Sequence, residues 1–213
     1  VTPPALAPVD LYGRQLVADA GAMAARTRDG RSWPLPLQRY LGPLTTADEA
    51  VLARASAPVL DVGCGPGRHV LALARRGTLA IGVDVSPVAV RMARKRGASV
   101  LHGSVFDGIP GVGAWGTALL LDGNIGIGGR PTALLARLAG LLRPGGLVLV
   151  ELEAPGGPSG RTVIRLEAGD AVSDWFAWAH VGRDEIELHA TAAGLVLRDT
   201  WQCDGRWFAC LVR

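Results

Sequence analysis

The chain has 213 residues, 49% of them hydrophobic and 19% charged, which supports one sizeable buried core and excludes a disordered polyelectrolyte. Its formal charge of +3 comes from 21 Arg and the single Lys95 set against 19 acids, and this is not the clustered lysine footprint of a nucleic-acid binder. No apolar run reaches the roughly eighteen residues of a membrane span, and no leader of the secretory type is recognisable. The densest basic run, Arg91-Met92-Ala93-Arg94-Lys95-Arg96, reads as the solvated face of a helix. Cys64, Cys203 and Cys210 cannot all pair within the chain and have no metal-ligand spacing. The expectation is a reduced, cytoplasmic protein without a bound metal ion.

In chain order, residues 1–57 form an irregular preface, read as an N-terminal helical cap. A helix is expected from Asp10 to Arg28, a loop or extended segment at Trp33-Pro34-Leu35-Pro36-Leu37, and a capped helix opening at Thr46-Ala47-Asp48-Glu49 and running to about Ala55. From Val59 the pattern turns regular. Short apolar strands end near Asp61, Asp84, Leu101, Leu121 and Glu151, and the helices between them stop at Gly77 and Gly97 or run from Pro131 to Leu142. Such alternation implies a parallel sheet covered on both faces. Two strands come next within 161–181 as an inserted hairpin, then a helix from Asp184 to Ala193, and a closing hairpin over 195–213 that turns at Cys203-Asp204-Gly205.

The segment that carries chemistry is Asp61-Val62-Gly63-Cys64-Gly65-Pro66-Gly67-Arg68, a strand running into a glycine-rich turn and then a helix. Glycines there let the backbone approach a ligand closely, and the helix start beyond them offers free N–H groups. The next strand ends in Asp84, an acid placed to accept hydrogen bonds from the hydroxyls of a ribose. A nicotinamide dinucleotide would ask for glycine at position 68, where Arg68 stands. An NAD-dependent oxidoreductase is therefore the weaker of two readings.

In this run the sequence resembles the class I S-adenosylmethionine-dependent methyltransferases. Asp84, Gly103-Ser104-Val105-Phe106-Asp107 and Leu142-Arg143-Pro144-Gly145-Gly146 continue the resemblance in order across residues 59–151. It implies an α/β Rossmann-like fold, a mainly parallel seven-stranded sheet with helices on both faces, in a core of residues 58–213. It also implies a cofactor site for S-adenosylmethionine. Asp61, Gly63, Cys64, Gly65 and Gly67 would meet the amino-acid end, and Asp84 with Val85 the ribose. Val105, Phe106 and Asp107 would meet the adenine, and Asp122 the sulfonium. Phe106 reads equally well as core packing, and Asp107 as a turn residue before Gly108.

The acceptor side is read from the exit of the fourth strand, Leu121-Asp122-Gly123-Asn124. The Asn/Asp-Pro-Pro-aromatic tetrad of the family's adenine and glutamine methylases is absent there, which turns the reading to a small-molecule acceptor, with neither nucleic acid nor membrane as partner. Asp122 and Asn124 are candidates to take a proton and to orient the acceptor, or else simply to cap turns. Nine of eleven aromatic residues lie outside 59–151, Trp175, Phe176 and Trp178 among them, and form either an aromatic cover or packing for the added elements. His180, just beyond them in the chain, is the candidate base. A protein of this fold that binds the cofactor without methyl transfer is the other reading.

Overall fold

The structure, a computed structural model, describes residues 5–18 and 22–213. Strands β3 (Val59–Val62) and β6 (Trp115–Leu120) are buried at every position, as expected of central strands covered on both sides. Around them lie β4 (Ala80–Asp84), β5 (Val100–His102), β7 (Leu142–Leu152), β11 (Val196–Cys203) and β12 (Arg206–Val212), in the sheet order β11-β12-β7-β6-β3-β4-β5. The five strands from β7 to β5 are parallel, while β12 and β11 close the sheet as an antiparallel hairpin.

Side chains leave the sheet alternately to two faces. Leu60, Val62, Leu120, Val148 and Val150 pack with α6 (Pro131–Leu141) and α7 (Ile186–Ala192). Val59, Leu119, Leu121 and Leu149 pack with α3 (Thr46–Leu52), α4 (Arg68–Arg75) and α5 (Pro87–Lys95). The period of two along each strand thus produces two cores from one sheet. The chain runs outward from β3 to β4 and β5 and then returns to lay β6 on the other side of β3. The order reverses between β3 and β6, and the carboxyl ends of these two strands flank the crevice where open α/β sheets hold ligands.

The preface departs from the helical expectation. Helix α1 (Pro8–Val17) is followed by a strand, β1 (Met23–Thr27), where a helix was expected to continue to Arg28; residues 19–21 of that expected helix lie outside the described residues. Met23, Ala25 and Thr27 are buried and the two residues between them are not, a strand alternation. β1 turns through Asp29-Gly30 into β2 (Ser32–Leu35), the segment read as a loop or extended, where Pro34 is tolerated because β2 is an edge strand. The hairpin expected at 161–181 is β8 (Gly160–Ala168) with the short β9 (Ala171–Val172) and β10 (Phe176–His180). β8 pairs on its other side with β1, so the preface and the insertion form one antiparallel sheet of order β10-β8-β1-β2. Its own core joins Leu11, Leu16, Met23, Ala25, Ile164 and Leu166 to Ala89 of α5. Helix α2 (Leu37–Leu41) links this sheet to α3. The cap of α3 begins one residue earlier than the sequence suggests: Thr45 accepts from the Asp48 N–H and the Asp48 carboxylate accepts from the Thr45 N–H.

Candidate functional site

The glycine turn leaves β3 with Gly63 at φ +69° and Gly65 at φ +53°, angles that side chains resist. A Cβ on Gly63 would lie 2.7 Å from the Asn124 amide, whereas one on Gly65 would meet only the Tyr12 hydroxyl, at 3.1 Å. Asn124 explains the first contact. Its amide donates to the Val62 carbonyl at 2.8 Å and the Gly63 carbonyl at 3.0 Å, bracing the ends of β3 and β6 across the crevice. Asp84, at the end of β4, accepts from the Gly65 N–H with one oxygen and the Ser86 N–H with the other, both at 2.8 Å. Burial raises its proton affinity, and these N–H bonds oppose the rise. Each carboxylate oxygen keeps a lone pair for a further donor.

Asp122, beyond β6, sits in a left-handed conformation with φ +57° inside a knot of arginines. Arg68 reaches it with two bonds, at 2.7 and 2.9 Å, and Arg39 with one at 3.0 Å; Arg206 stands at 3.4 Å. Arg68 and Arg206 also hold Asp48, and Arg206 holds Glu151. Burial pushes the Asp122 carboxyl up, but the charges of His69 and Arg68 outweigh it and hold the group below the usual carboxylate range. Asp122 is consequently a poor proton acceptor, and the structure replaces that expected role with an electrostatic one. Behind it, the fully enclosed His69 lies 3.4 Å from Asp61 and 3.5 Å from Asp48. Burial lowers its proton affinity, but the Asp61 charge and the Asp48 contact raise its pKa to about 9, so the ring is an imidazolium at neutral pH.

Over this floor the second sheet forms a roof, and the two enclose a cavity of about 720 Å³. Ala25, Trp33, Leu35, Ile164, Leu166, Phe176 and Trp178 supply its apolar wall, and Tyr12 of α1 with Tyr40 of α2 close one side. Burial pushes both phenols well above their usual range, so they stay protonated donors. His180, the last residue of β10, lines the same cavity. Its Nδ1 lies 2.8 Å from Glu153 Oε1, and its ring meets the Trp33 ring edge-on with centroids 5.0 Å apart.

Of the residues singled out from sequence, Gly63, Cys64, Gly65, Asp84, Val85, Val105, Asp122, Asn124 and His180 share the cavity wall. Asp61, Gly67, Phe106 and Asp107 do not. Asp61 faces His69, Gly67 packs on Ala93 and Ala98, and Phe106 lies half-exposed over Gly128. Asp107 accepts from the Ser104 N–H and closes its own turn. Asn124 is a brace for the backbone rather than a group that orients an acceptor, because its donors are spent on two carbonyls. No group of His, Cys, Asp or Glu among the described residues is arranged to hold a metal ion. Sequence reasoning missed Arg39 and Arg206. Arg68 figured there only as the residue that breaks a dinucleotide pattern. A buried Arg beside a glycine turn is a signal that an acid from elsewhere must meet it.

A model of the methyltransferase domain family matches residues 59–146. A trans-aconitate 2-methyltransferase of Paracidovorax citrulli is 29% identical over 154 residues, which is 66% of this chain and 59% of that protein, so the chain spans less than two thirds of this relative's length. An S-adenosylmethionine-dependent methyltransferase from Bacteroides fragilis, solved with S-adenosyl-L-homocysteine, superposes with a TM-score of 0.79 at 22% identity, over 99% of this chain and 97% of that one. A 1,6-didemethyltoxoflavin-N1-methyltransferase from Burkholderia thailandensis superposes with a TM-score of 0.59 at 19% identity, over 100% and 92%. These structural likenesses establish a common fold over nearly the whole chain.

Proposed function

We propose that the chain is a class I S-adenosylmethionine-dependent methyltransferase, an enzyme that transfers a methyl group from that cofactor to a small molecule held beneath the roof sheet. The observation that carries this reading is the cavity of about 720 Å³, which runs unbroken from the glycine turn and Asp84 to the aromatic wall and His180. Its volume falls within the roughly 300–1,000 Å³ of small-molecule sites.

The floor suits the cofactor on chemical grounds. Asp84 has lone pairs left over after its two N–H bonds, the number that the two hydroxyls of a ribose require. Gly65 leaves the backbone open to the cavity where any side chain would press on Tyr12. Val85 and Val105 offer apolar surface to a flat base. When bound, S-adenosylmethionine supplies a methyl carbon made electrophilic by the attached sulfonium. The chain's part is to align the acceptor in line with that carbon, to exclude water and to take up any proton released; alignment alone is worth roughly 7–11 kcal/mol.

The roof supports a small acceptor rather than a polymer, since its strands lie across the crevice that a polymer would have to enter. The trans-aconitate and 1,6-didemethyltoxoflavin named for the two relatives are both small molecules. No described helix is long and apolar enough to cross a membrane, and Cys64, Cys203 and Cys210 are all unpaired, in keeping with a reducing cytoplasmic setting. The reading retains a cap of residues 1–57 on a core of residues 58–213.

Calorimetric titration with S-adenosylmethionine and with S-adenosylhomocysteine tests the proposal. Both are expected to bind, and Asp84→Ala is expected to weaken each about 10- to 100-fold, the worth of charge-assisted hydrogen bonds to two hydroxyls. Equal affinity in the variant sinks the site assignment.

A further inference from the structure

Among the described titratable groups along the cavity, most are already committed to partners within the protein. Asp122 and Glu151 are neutralised by Arg39, Arg68 and Arg206. Tyr12, Tyr40 and Cys64 are pushed by burial toward their protonated forms, and Asp84 is occupied by backbone N–H groups. That leaves His180, whose Nδ1 lies 2.8 Å from Glu153, an acid with no arginine partner among the described residues.

The pair is held at both ends. Glu153 donates its N–H to the Val181 carbonyl at 3.0 Å and accepts from the Arg183 N–H at 3.0 Å, which ties the end of β7 to the residues just after His180. His180 is paired in β10 with Gly160, and its ring is set edge-on against Trp33. A carboxylate on Nδ1 selects the tautomer in which Nδ1 carries the hydrogen, leaving Nε2 as the bare acceptor; no described side chain occupies Nε2.

We propose that Glu153 is a positioning residue that holds His180 as a general base through Nε2, so that this site takes acceptors whose nucleophile must lose a proton, a hydroxyl or a ring N–H. The inference rests on the methyltransferase reading above. In the step itself, a lone pair on the acceptor oxygen forms the bond to the methyl carbon while the carbon–sulfur pair departs to sulfur. The acceptor O–H proton passes to His180 Nε2, its bonding electrons stay on oxygen, and the imidazolium returns the proton to water. An amine that is already unprotonated needs no such base.

The test uses the full chain with S-adenosylmethionine, monitors S-adenosylhomocysteine release, and takes phenol, 4-nitrophenol and aniline, an amine that is unprotonated at neutral pH, as probes. Phenol is protonated at neutral pH, its pKa lying near that of tyrosine at ~10, whereas a large share of the nitro compound is already ionised. With phenol, His180→Gln and Glu153→Leu are expected to lower kcat about 100-fold. With 4-nitrophenol the loss is expected to be at least tenfold smaller, and Glu153→Gln, which keeps an acceptor for Nδ1–H, is expected to restore most of the phenol rate. Independently of turnover, 15N NMR of the ring above the imidazole titration range is expected to find the Nδ1–H tautomer at His180 and its loss in Glu153→Leu. Equal losses with both phenols, turnover of aniline alone, or an unchanged tautomer in Glu153→Leu overturns the inference. Failure to bind S-adenosylmethionine would instead strike the reading on which it rests.

Discussion

The floor and the roof of the cavity are built on opposite principles. The floor is crowded with charge: Asp48, Asp61, Asp122 and Glu151 face Arg39, Arg68, Arg206 and His69, with Arg39 Nε, Asp61 Oδ2 and His69 Nε2 left without a hydrogen bond. The roof is apolar and aromatic where it lines the cavity, and the pair His180 and Glu153 stands at its margin. A buried lattice of ion pairs can hardly shift without exposing a charge, so it holds the glycine turn and Asp84 in one geometry. Apolar walls carry little directional demand and can be recut for different acceptors. Constancy therefore belongs to the floor and selectivity to the roof.

Removing Arg68 should break the floor most severely. Its side chain is only 4% exposed and bridges Asp48 to Asp122, so Arg68→Ala leaves two buried carboxylates short of a partner. A loss of about 3–5 kcal/mol is expected, seen in urea melts, with a fall in Tm on the order of 10 °C. A loss under about 1 kcal/mol, the scale of an exposed ion pair, would mean that Arg39 and Arg206 already neutralise the site.

The next largest effect is one of pH. The folded pKa of His69, about 9, lies above its unfolded value, so proton binding favours the native state. That stabilisation is complete below about pH 6.5 and is lost as pH rises through the folded value; it amounts to something on the order of 3 kcal/mol. Urea melts of the wild type should weaken across this window, and His69→Gln should remove the slope. A flat wild-type profile would place a neutral ring between the two acids.

The roof should yield the mildest change and the most specific one. Trp33→Ala removes an edge-on partner of His180 without touching the floor. The acceptor KM is expected to rise about tenfold, while calorimetry finds the affinity for S-adenosylhomocysteine unchanged. Weaker cofactor binding in this variant would show that floor and roof are one energetic unit, and the contrast between them would fall.

What was legible in the residues alone depended on the range of the forces involved. The turn Asp61–Gly67, the acid Asp84, the helix from Pro131 and the closing hairpin can all be read from a few neighbouring residues. The expectation of a helix through Arg28 failed because Met23–Thr27 finds its partner in Glu167–Ile164, some 140 residues later. The Asp29-Gly30 turn that betrays the hairpin lies beyond the stretch taken as helical. His180 was a candidate by its neighbours, yet nothing near it in sequence points to Glu153. Asp122 was singled out correctly as a cavity residue, but its role changed once three arginines from three elements converged on it.

The sequence by itself determined the alternation of strands and helices and the residues of the glycine turn, because periodicity and backbone strain act over a few residues, and the cofactor class followed from the resemblance those residues carry. Only the tertiary structure decided that preface and insertion share one sheet, that Asp122 is an anchor and not a base, and that Glu153 faces His180. A charge's proton affinity and a strand's partner depend on what closure of the chain brings within a few ångströms, and that distance is not written in the spacing of residues along the chain.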